Sequence, residues 1–509
     1  MNHAPGEYLH HFHGGLKLRH YKQISCTENP QHLAIPDVLT VPLSQQKGAE
    51  AHPLVEVGEL VLRGQLIAKS AAPNAQYIHA PSSGKVVGIT PHTIAQYQQA
   101  NTKLPESSRC TAIIIECDGQ DESIAPEPLS NWQSLSSSEL THHISTMGIV
   151  GLGGATFSTA EKLQSKQNTS SADGRTKVDT IILNGAECEP YLSCDESLML
   201  SEVEAVLQGA KILAHAAAAE NIVIAIEDRM NEVKDRFEDA IQRTKLNNIS
   251  IVQVPTYYPE GGERQLIQVL TGLEVPHHGL PRDLGVLCFN VATAAATYQA
   301  VVHGQALIER LVTITGHCVT KPSNWWVRIG TPISALVEAA GGFQSPPQHL
   351  IMGGPMMGIA LPSTQVPIVK ASNCILALTA AEVQDSQGEM PCINCGFCIR
   401  VCPAQLLPQE LHWAIRSNDI THAENIGLTD CIECGCCDQV CPSHINLVDD
   451  YRLGKHLLRL QEQNKLRAQQ AKKRFEARQK RIEQQALVLK ERRESKKRQN
   501  TNVDAKSRI

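Results

Sequence analysis

Nine of the chain's 17 cysteines fall between Cys392 and Cys441, and their spacing leaves little that such a segment can fold around. The run Cys392-Ile-Asn-Cys395-Gly-Phe-Cys398-Ile-Arg-Val-Cys402-Pro403 returns 39 residues later as Cys431-Ile-Glu-Cys434-Gly-Cys-Cys437-Asp-Gln-Val-Cys441-Pro442. Three thiolates on a tight loop cap three irons of a cubane, while the fourth, displaced onto the next short helix, faces a second cluster, so the ligands cross over. This assigns Cys392, Cys395, Cys398 and Cys441 to one [4Fe–4S] cluster and Cys431, Cys434, Cys437 and Cys402 to the other. Structural zinc competes, but four-cysteine zinc sites usually split into two C-x2-C pairs a dozen or more residues apart. Cys436 fits neither ligand set and reads as a small buried filler. Pro403 and Pro442 turn the chain away after each crossing ligand.

Such a wire needs a source and a sink. A chain of 509 residues is long enough for several domains. Aromatics make up only 4%, which argues against a base-stacking surface, so no nucleic acid is expected as a partner. The N-terminal stretch MNHAPGEYLHHFHGG has neither a basic n-region nor an apolar h-region, and no window gives about 18 consecutive apolar residues. The expectation is a chain in a reducing compartment whose cysteines are thiols or metal ligands. Charge is uneven: 18 Lys and Arg against 6 Asp and Glu from Lys455 onward leave an acidic body of −18 under a net −6.

A second informative region is Gly148-Ile-Val-Gly151-Leu-Gly153-Gly154-Ala-Thr-Phe-Ser158-Thr-Ala-Glu161-Lys162. Glycines at this density let backbone amides approach a phosphate, and Ser158 with Glu161 three residues later is a capping-box signal. By itself the loop is also compatible with a plain turn. Downstream, Val178 to Asn184, Ile222 to Ile226 and Ile249 to Val254 read as buried strands, with helices over Leu198 to Ala210 and from Leu266 to Leu270. Such alternation predicts a doubly wound α/β layer with ligands at the carboxyl ends of its strands, where Asn184, Glu187 and Glu189 fall.

GLGGATFSTAEK, NGAECEP, Tyr258-Pro-Glu-Gly-Gly-Glu263 and Phe289-Asn290-Val-Ala-Thr293 stand in the order and spacing of the flavin-bearing, NADH-oxidising subunit of respiratory complex I. Joined to the double cysteine repeat, residues 10–450 resemble the RnfC/RsxC family of the Rnf/Rsx electron transport complexes. The resemblance implies FMN bound through Gly151, Gly153 and Gly154 with Lys162, Asn184 and Asn290 around it, and Glu187, Glu189 and Glu263 lining the nicotinamide side of an NAD(H) site. The pattern departs from complex I at Ala186, where complex I has an acid contacting the flavin, at Phe289, which replaces the first of two asparagines, and at Thr156 and Ser158, which replace a glycine and a proline.

The expected fold class is therefore a multi-domain α/β chain. After an N-terminal segment (1–35) come a barrel-sandwich module similar to biotinyl and lipoyl domains (36–95) and a Rossmann-like FMN/NADH domain (130–310). A module resembling the soluble-ligand-binding β-grasp (311–350), a two-[4Fe–4S] ferredoxin-like domain (381–450) and a basic helical or disordered tail (451–509) complete it. The barrel has no Met-Lys-Met hairpin tip and reads as a packing module. His10, His11 and His13 read as solvated, and Met352 to Gly358 reads as a packing turn. For the tail, a solvated helix, a membrane or partner contact, and nucleic-acid binding stay open.

The resemblance implies a peripheral subunit on the cytoplasmic face of a bacterial inner membrane. It would exchange electrons between NAD(H), or ferredoxin as the redox partner, and integral membrane and iron–sulfur subunits that couple the flow to ion translocation. A soluble flavin/iron–sulfur cobalamin reductase and a non-catalytic zinc-bearing scaffold are the rivals.

Overall fold

The computed structural model describes residues 6, 8–27, 29–46, 48, 50–71, 76–95, 109–164, 177–246, 248–383 and 388–506, with side chains to 496. Its centre is a four-stranded parallel sheet in the spatial order Ile249–Val254, Asn221–Glu227, Thr180–Gly185, Val286–Asn290. Three of the strands are largely apolar runs because both faces are buried, as a wholly parallel sheet requires, whereas the edge strand Ile249–Val254 is only partly covered. Side chains alternate between two layers. Ile181, Leu183, Ile224 and Ile226 pack under the helices Val203–Ala217, Asn231–Thr244 and Val291–His303. Ile182, Val223, Ala225 and Val254 pack on Leu266, Ile267 and Leu270 of the helix Glu263–Thr271. Gly209 permits the closest helix crossing: a Cβ there would lie 1.8 Å from the Ala294 carbonyl oxygen.

The single helix expected over Leu198 to Ala210 is two, Cys194–Ser201 and Val203–Ala217, broken at Glu202, whose φ and ψ are −121° and 40°. The N-terminal sandwich uses two sheets. Val38–Pro42, Arg109–Cys117, Gly84–Thr93 and Leu60–Val61 form one, and His52–Pro53, Leu66–Lys69 and Tyr77–His79 the other. Between them lie Val41, Leu43, Ile67, Ile78, Val86, Ile113 and Ile115. The strand Arg109–Cys117 lies beyond the segment 36–95 and pairs with two of its strands.

A six-stranded mixed sheet follows, built on Glu309–Thr315 and Ser323–Arg328 and backed by the helix Ile333–Ala339. It draws in Gln31–His32 from the N-terminal segment and Cys374–Leu378 from beyond residue 350.

The cysteine repeat extends past its cysteines. The helices Phe397–Val401 and Cys436–Gln439 start 39 residues apart, as do Pro408–Arg416 and Leu447–Lys506. Left-handed residues recur at the same offset: Asn394 and Glu433, Gly396 and Gly435, Gln405 and His444.

Backbone contacts divide the chain into two units, Met1–Gln409 with Asp430–Asp449, and Glu410–Thr429 with Asp450–Ile509. Within the second, Asp450 accepts hydrogen bonds from His412 Nδ1 (2.7 Å) and Arg416 Nε (3.1 Å), and Gly454 packs closely on Ile415 and Leu428. The tail is one continuous helix through Lys506. Among the described residues, no helix is long and apolar enough to cross a membrane.

Candidate functional site

In the parallel sheet the strand order reverses between Thr180–Gly185 and Val286–Asn290, and at their carboxyl ends Asn184 and Asn290 are direct register partners. Ligands of doubly wound folds bind outside such a switch point. Asn184 pins the strand end: its Nδ2 donates to the Gly261 carbonyl (2.7 Å) and its Oδ1 accepts from Ala186 N (3.0 Å). Asn290 caps the helix Val291–His303 through Ala292 N (2.8 Å) and donates from Nδ2 to Asp195 Oδ2 (2.6 Å).

The glycine-rich loop is held over Asn290, with Leu152 N donating to Thr293 Oγ1 (2.9 Å). A Cβ on Gly153 would touch the Asn290 side chain at 3.5 Å, whereas one on Gly154, at φ +98°, would meet nothing within 4 Å. Gly151 N donates to the Phe157 carbonyl (2.8 Å), closing the loop on itself. Ser158 Oγ accepts from Glu161 N (3.3 Å) and starts the helix Thr159–Gln164, which delivers Lys162. The Lys162 ammonium pairs with Glu263 and lies 5.3 Å from the centre of the Phe289 ring. Thus Phe289 and Ser158, two of the departures from the complex I pattern, have structural roles here. Open space beside a bare backbone, rimmed by an ammonium, amides and an aromatic ring, suits a planar, phosphate-bearing group.

Glu187 lies deeper. Its carboxylate accepts from Asp195 N (3.1 Å) and stands 3.4 Å from the ammonium of Lys22, which is itself 1% exposed and donates to the Glu187 carbonyl. Burial works against the charge of Lys22, but Glu187 and Glu227 outweigh it and raise its pKa. Burial, with Glu187 adding to it, pushes Asp195 up to about 7. Nothing in the N-terminal segment signalled Lys22, and Asp195, a residue of an ordinary helix start, carried no signal either. Glu260, in the turn before Glu263, is pushed up to about 8 by burial beside Asp228 and Glu227.

Glu189 belongs to a different neighbourhood. Its carboxylate accepts from Met356 N (3.2 Å) and Met357 N (2.8 Å), and burial lifts it to about 7 against those two amides. The turn from Met352 to Gly358 thus closes over Glu189, and Met356 packs with Tyr258, Cys188, Cys434 and Cys436. Tyr258 donates its hydroxyl to the Cys434 carbonyl at 2.6 Å. The second cysteine run is therefore seated at the end of the sheet that carries Asn184.

Within the runs, the third cysteine, not the fourth, lies on the short helix; Cys402 and Cys441 follow it. Burial raises the Cys398 thiol, and Cys395 and Cys392 add to the effect. Cys437 is raised by burial together with Asp438, Cys431, Cys434 and Cys402, so Cys402 of the first run stands among the cysteines of the second. Conversely, Ser443, two residues past Cys441, donates to the Pro391 carbonyl (2.9 Å) and accepts from Met390 N (2.9 Å), beside Cys392. Glu433 N points at Cys431 Sγ and Leu406 N at Cys402 Sγ, both at 3.4 Å. Amides aimed at sulfurs from left-handed turns are what cluster-ligating thiolates need. The N-terminal histidines diverge, His13 Nδ1 to the Cys402 carbonyl (3.0 Å) and His10 against Gly272.

Four family models match the chain. They are the RnfC barrel sandwich hybrid domain (residues 10–120), the Nuo51 FMN-binding domain (144–299), the SLBB domain (311–360) and the 4Fe-4S dicluster domain (391–445). Curated relatives described as the C component of an ion-translocating oxidoreductase complex are similar over almost the whole chain. That of Klebsiella pneumoniae is 40% identical over 94% of this chain and 61% of its own length. That of Erwinia tasmaniensis is 40% identical over 97% and 59%, and that of Serratia proteamaculans 40% over 94% and 66%. The chain thus spans about three fifths of the length of the first two. Crystal structures of an NAD+-reducing [NiFe]-hydrogenase, H2-reduced and air-oxidised, superpose with TM-scores of 0.43 and 0.42. Identities are 18% and 14%, over 64% and 71% of this chain and 63% and 68% of theirs.

Proposed function

Because the chain belongs to the RnfC family, the C component of ion-translocating oxidoreductase complexes, we propose that it is the peripheral electron-transfer subunit of such a complex. In this reading it passes electrons between NAD(H), FMN and two [4Fe–4S] clusters, to or from membrane subunits that couple the flow to ion translocation. The observation that carries the reading is one juxtaposition. The glycine loop and Asn290 stand at the switch point of the sheet, and the second cysteine run is packed against the same sheet end through Tyr258 and Met356.

FMN, when bound, supplies the conversion between a two-electron hydride and the single electrons that iron–sulfur clusters carry. The chain's own residues bind and orient. Gly154 leaves the backbone bare for close approach while Gly151 and Gly153 shape the loop that would hold the flavin, Lys162 offers a positive charge near the Phe289 ring, and Asn184 and Asn290 fix the two strand ends. Glu187 and Glu263, paired with Lys22 and Lys162, would line the nicotinamide side. Asp195, lifted to about 7, can hold or release a proton beside Asn290 near neutrality. Cys392, Cys395, Cys398 and Cys441 would hold one cluster and Cys431, Cys434, Cys437 and Cys402 the other. The placement proposed is the cytoplasmic face of the bacterial inner membrane, against integral and iron–sulfur subunits of the same complex.

Anaerobic purification with iron, sulfide, zinc and flavin quantified together, followed by NADH titration, tests this. The expected outcome is brown protein with about eight irons and eight sulfides per chain, bound FMN, and visible absorbance that bleaches on NADH. Sulfide-free protein with stoichiometric zinc would overturn it in favour of a scaffold.

A further inference from the structure

Two buried basic side chains from outside the residues matched to the flavin-domain family model (144–299) reach into its glycine-rich segment. Arg310, on the strand Glu309–Thr315, is 2% exposed and directs its guanidinium at three main-chain carbonyls: Leu152 (from Nη2, 3.1 Å), Leu311 (from Nε, 3.3 Å) and Lys370 (from Nη1). Lys370, also 2% exposed, donates from Nζ to the carbonyls of Gly148 (2.7 Å) and Tyr77 (3.1 Å). Burial pushes Lys370 down to about 7, and as a neutral amine it keeps two N–H groups for those two carbonyls.

A buried guanidinium is ordinarily paired with a carboxylate. Bonded to carbonyls instead, Arg310 fixes the course of the main chain. Leu152 is held at both of its main-chain polar groups, its N–H by Thr293 Oγ1 (2.9 Å) and its carbonyl by Arg310. Gly148 makes room for the other basic group: at its φ of +71° a Cβ would lie 2.6 Å from the Tyr77 carbonyl oxygen and 2.9 Å from Lys370 Nζ. These tethers matter because solid core does not back the segment on every side. Met147, Leu152, Ala292 and Arg310 all line one cavity of about 650 Å³. Main chain beside such a space keeps its place through hydrogen bonds more than through packing.

We infer that Arg310 and Lys370 are positioning residues for the flavin. They fix the main chain at Leu152 and Gly148, and so set where the bare backbone at Gly154 meets FMN. The inference rests on the FMN-binding reading above. Neither residue needs to touch the flavin, since each acts through the carbonyl it holds.

The experiment uses the full chain, loaded anaerobically with its clusters, freed of FMN by dialysis and titrated with FMN while flavin fluorescence is followed. Arg310→Ala, Arg310→Lys and Lys370→Met are compared with Arg328→Met. Arg328 lines the same cavity but bonds to the Pro81 carbonyl, Asp121 and Glu309, away from the glycine segment. Iron and sulfide contents establish that each variant is intact. The expected result is a Kd for FMN raised at least about tenfold in the Arg310 and Lys370 variants and unchanged in Arg328→Met. Arg310→Lys keeps the charge, but a single ammonium cannot span the three carbonyls, so this variant carries the test if Arg310→Ala does not fold. At saturating FMN, the flavin-dependent visible circular dichroism should also differ from the parent's in Arg310→Lys and Lys370→Met, and match it in Arg328→Met. A loss of general stability alone would not move that signal. A parent-like Kd and dichroism in Arg310→Lys and Lys370→Met, or an equal loss in Arg328→Met, would overturn this inference alone. No uptake of FMN by the unsubstituted chain would overturn it together with the proposed function.

Discussion

Glu260 shows how much the site depends on charges removed from water. It is 2% exposed, its Oε1 has no hydrogen-bond partner, and burial next to Asp228 and Glu227 lifts its pKa from 4.5 to about 8. In the unfolded chain the carboxyl ionises near its ordinary value, so between about pH 4.5 and 8 the folded state binds one proton more. The stability from this group is therefore fully present below pH 4.5 and lost as pH rises through 8, with a slope of at most about 1.4 kcal/mol per pH unit. Glu260→Gln removes that slope. The variant's melting temperature should match the parent's near pH 5 and exceed it increasingly up to pH 8; parallel curves across that range would refute the assignment. Lys22 makes the complementary case, since a buried ammonium facing Glu187 and Glu227 is tolerated only because both acids are there.

Two glycines at the same place in the repeat separate backbone strain from packing. Gly396 and Gly435 have φ of +71° and +75°, where a side chain costs about 1–2 kcal/mol by itself. Gly396→Ala meets no neighbour, so it should lose about that much stability, whereas Gly435→Ala must also displace the Met356 turn. Thermal melts of the two variants should differ, and only Gly435→Ala should perturb the environment of Glu189. Equal melting temperatures would mean that the Met356 turn does not bear on Gly435. The repeat itself was legible from cysteine spacing, and the strands at Ile222 to Ile226 and Ile249 to Val254 from segments dominated by Ile and Val. The break at Glu202 was not, because neither glycine nor proline marks it. Nor was the covering of one run alone, because that depends on Met356 and Leu16, remote in sequence and unmarked by any motif.

Across the whole molecule, charge and burial separate together. The long helix Leu447–Lys506 contributes buried side chains only as far as Leu458; from Arg459 through Lys496 every residue is exposed. At 1.5 Å per residue those 38 positions form a rod of about 57 Å that buries no core. Its basic composition was plain in the sequence, but whether it would be helical depended on propensity alone, since Phe475, Ile482 and Leu489 recur once per seven residues and give too thin an apolar stripe. A helix without a buried face adds little to folding stability. Truncation after residue 464 removes 16 basic and 5 acidic residues and should leave iron, sulfide and flavin contents unchanged, with the melting temperature of the remaining chain shifted by less than about 2 °C, the smallest shift that about 1 kcal/mol produces in a larger domain. Isoelectric focusing should show the truncated protein moving to a distinctly more acidic position, as the loss of the basic segment requires. A truncated chain that loses its clusters or melts well below the parent would mean that the exposed helix is a structural part of the fold after all.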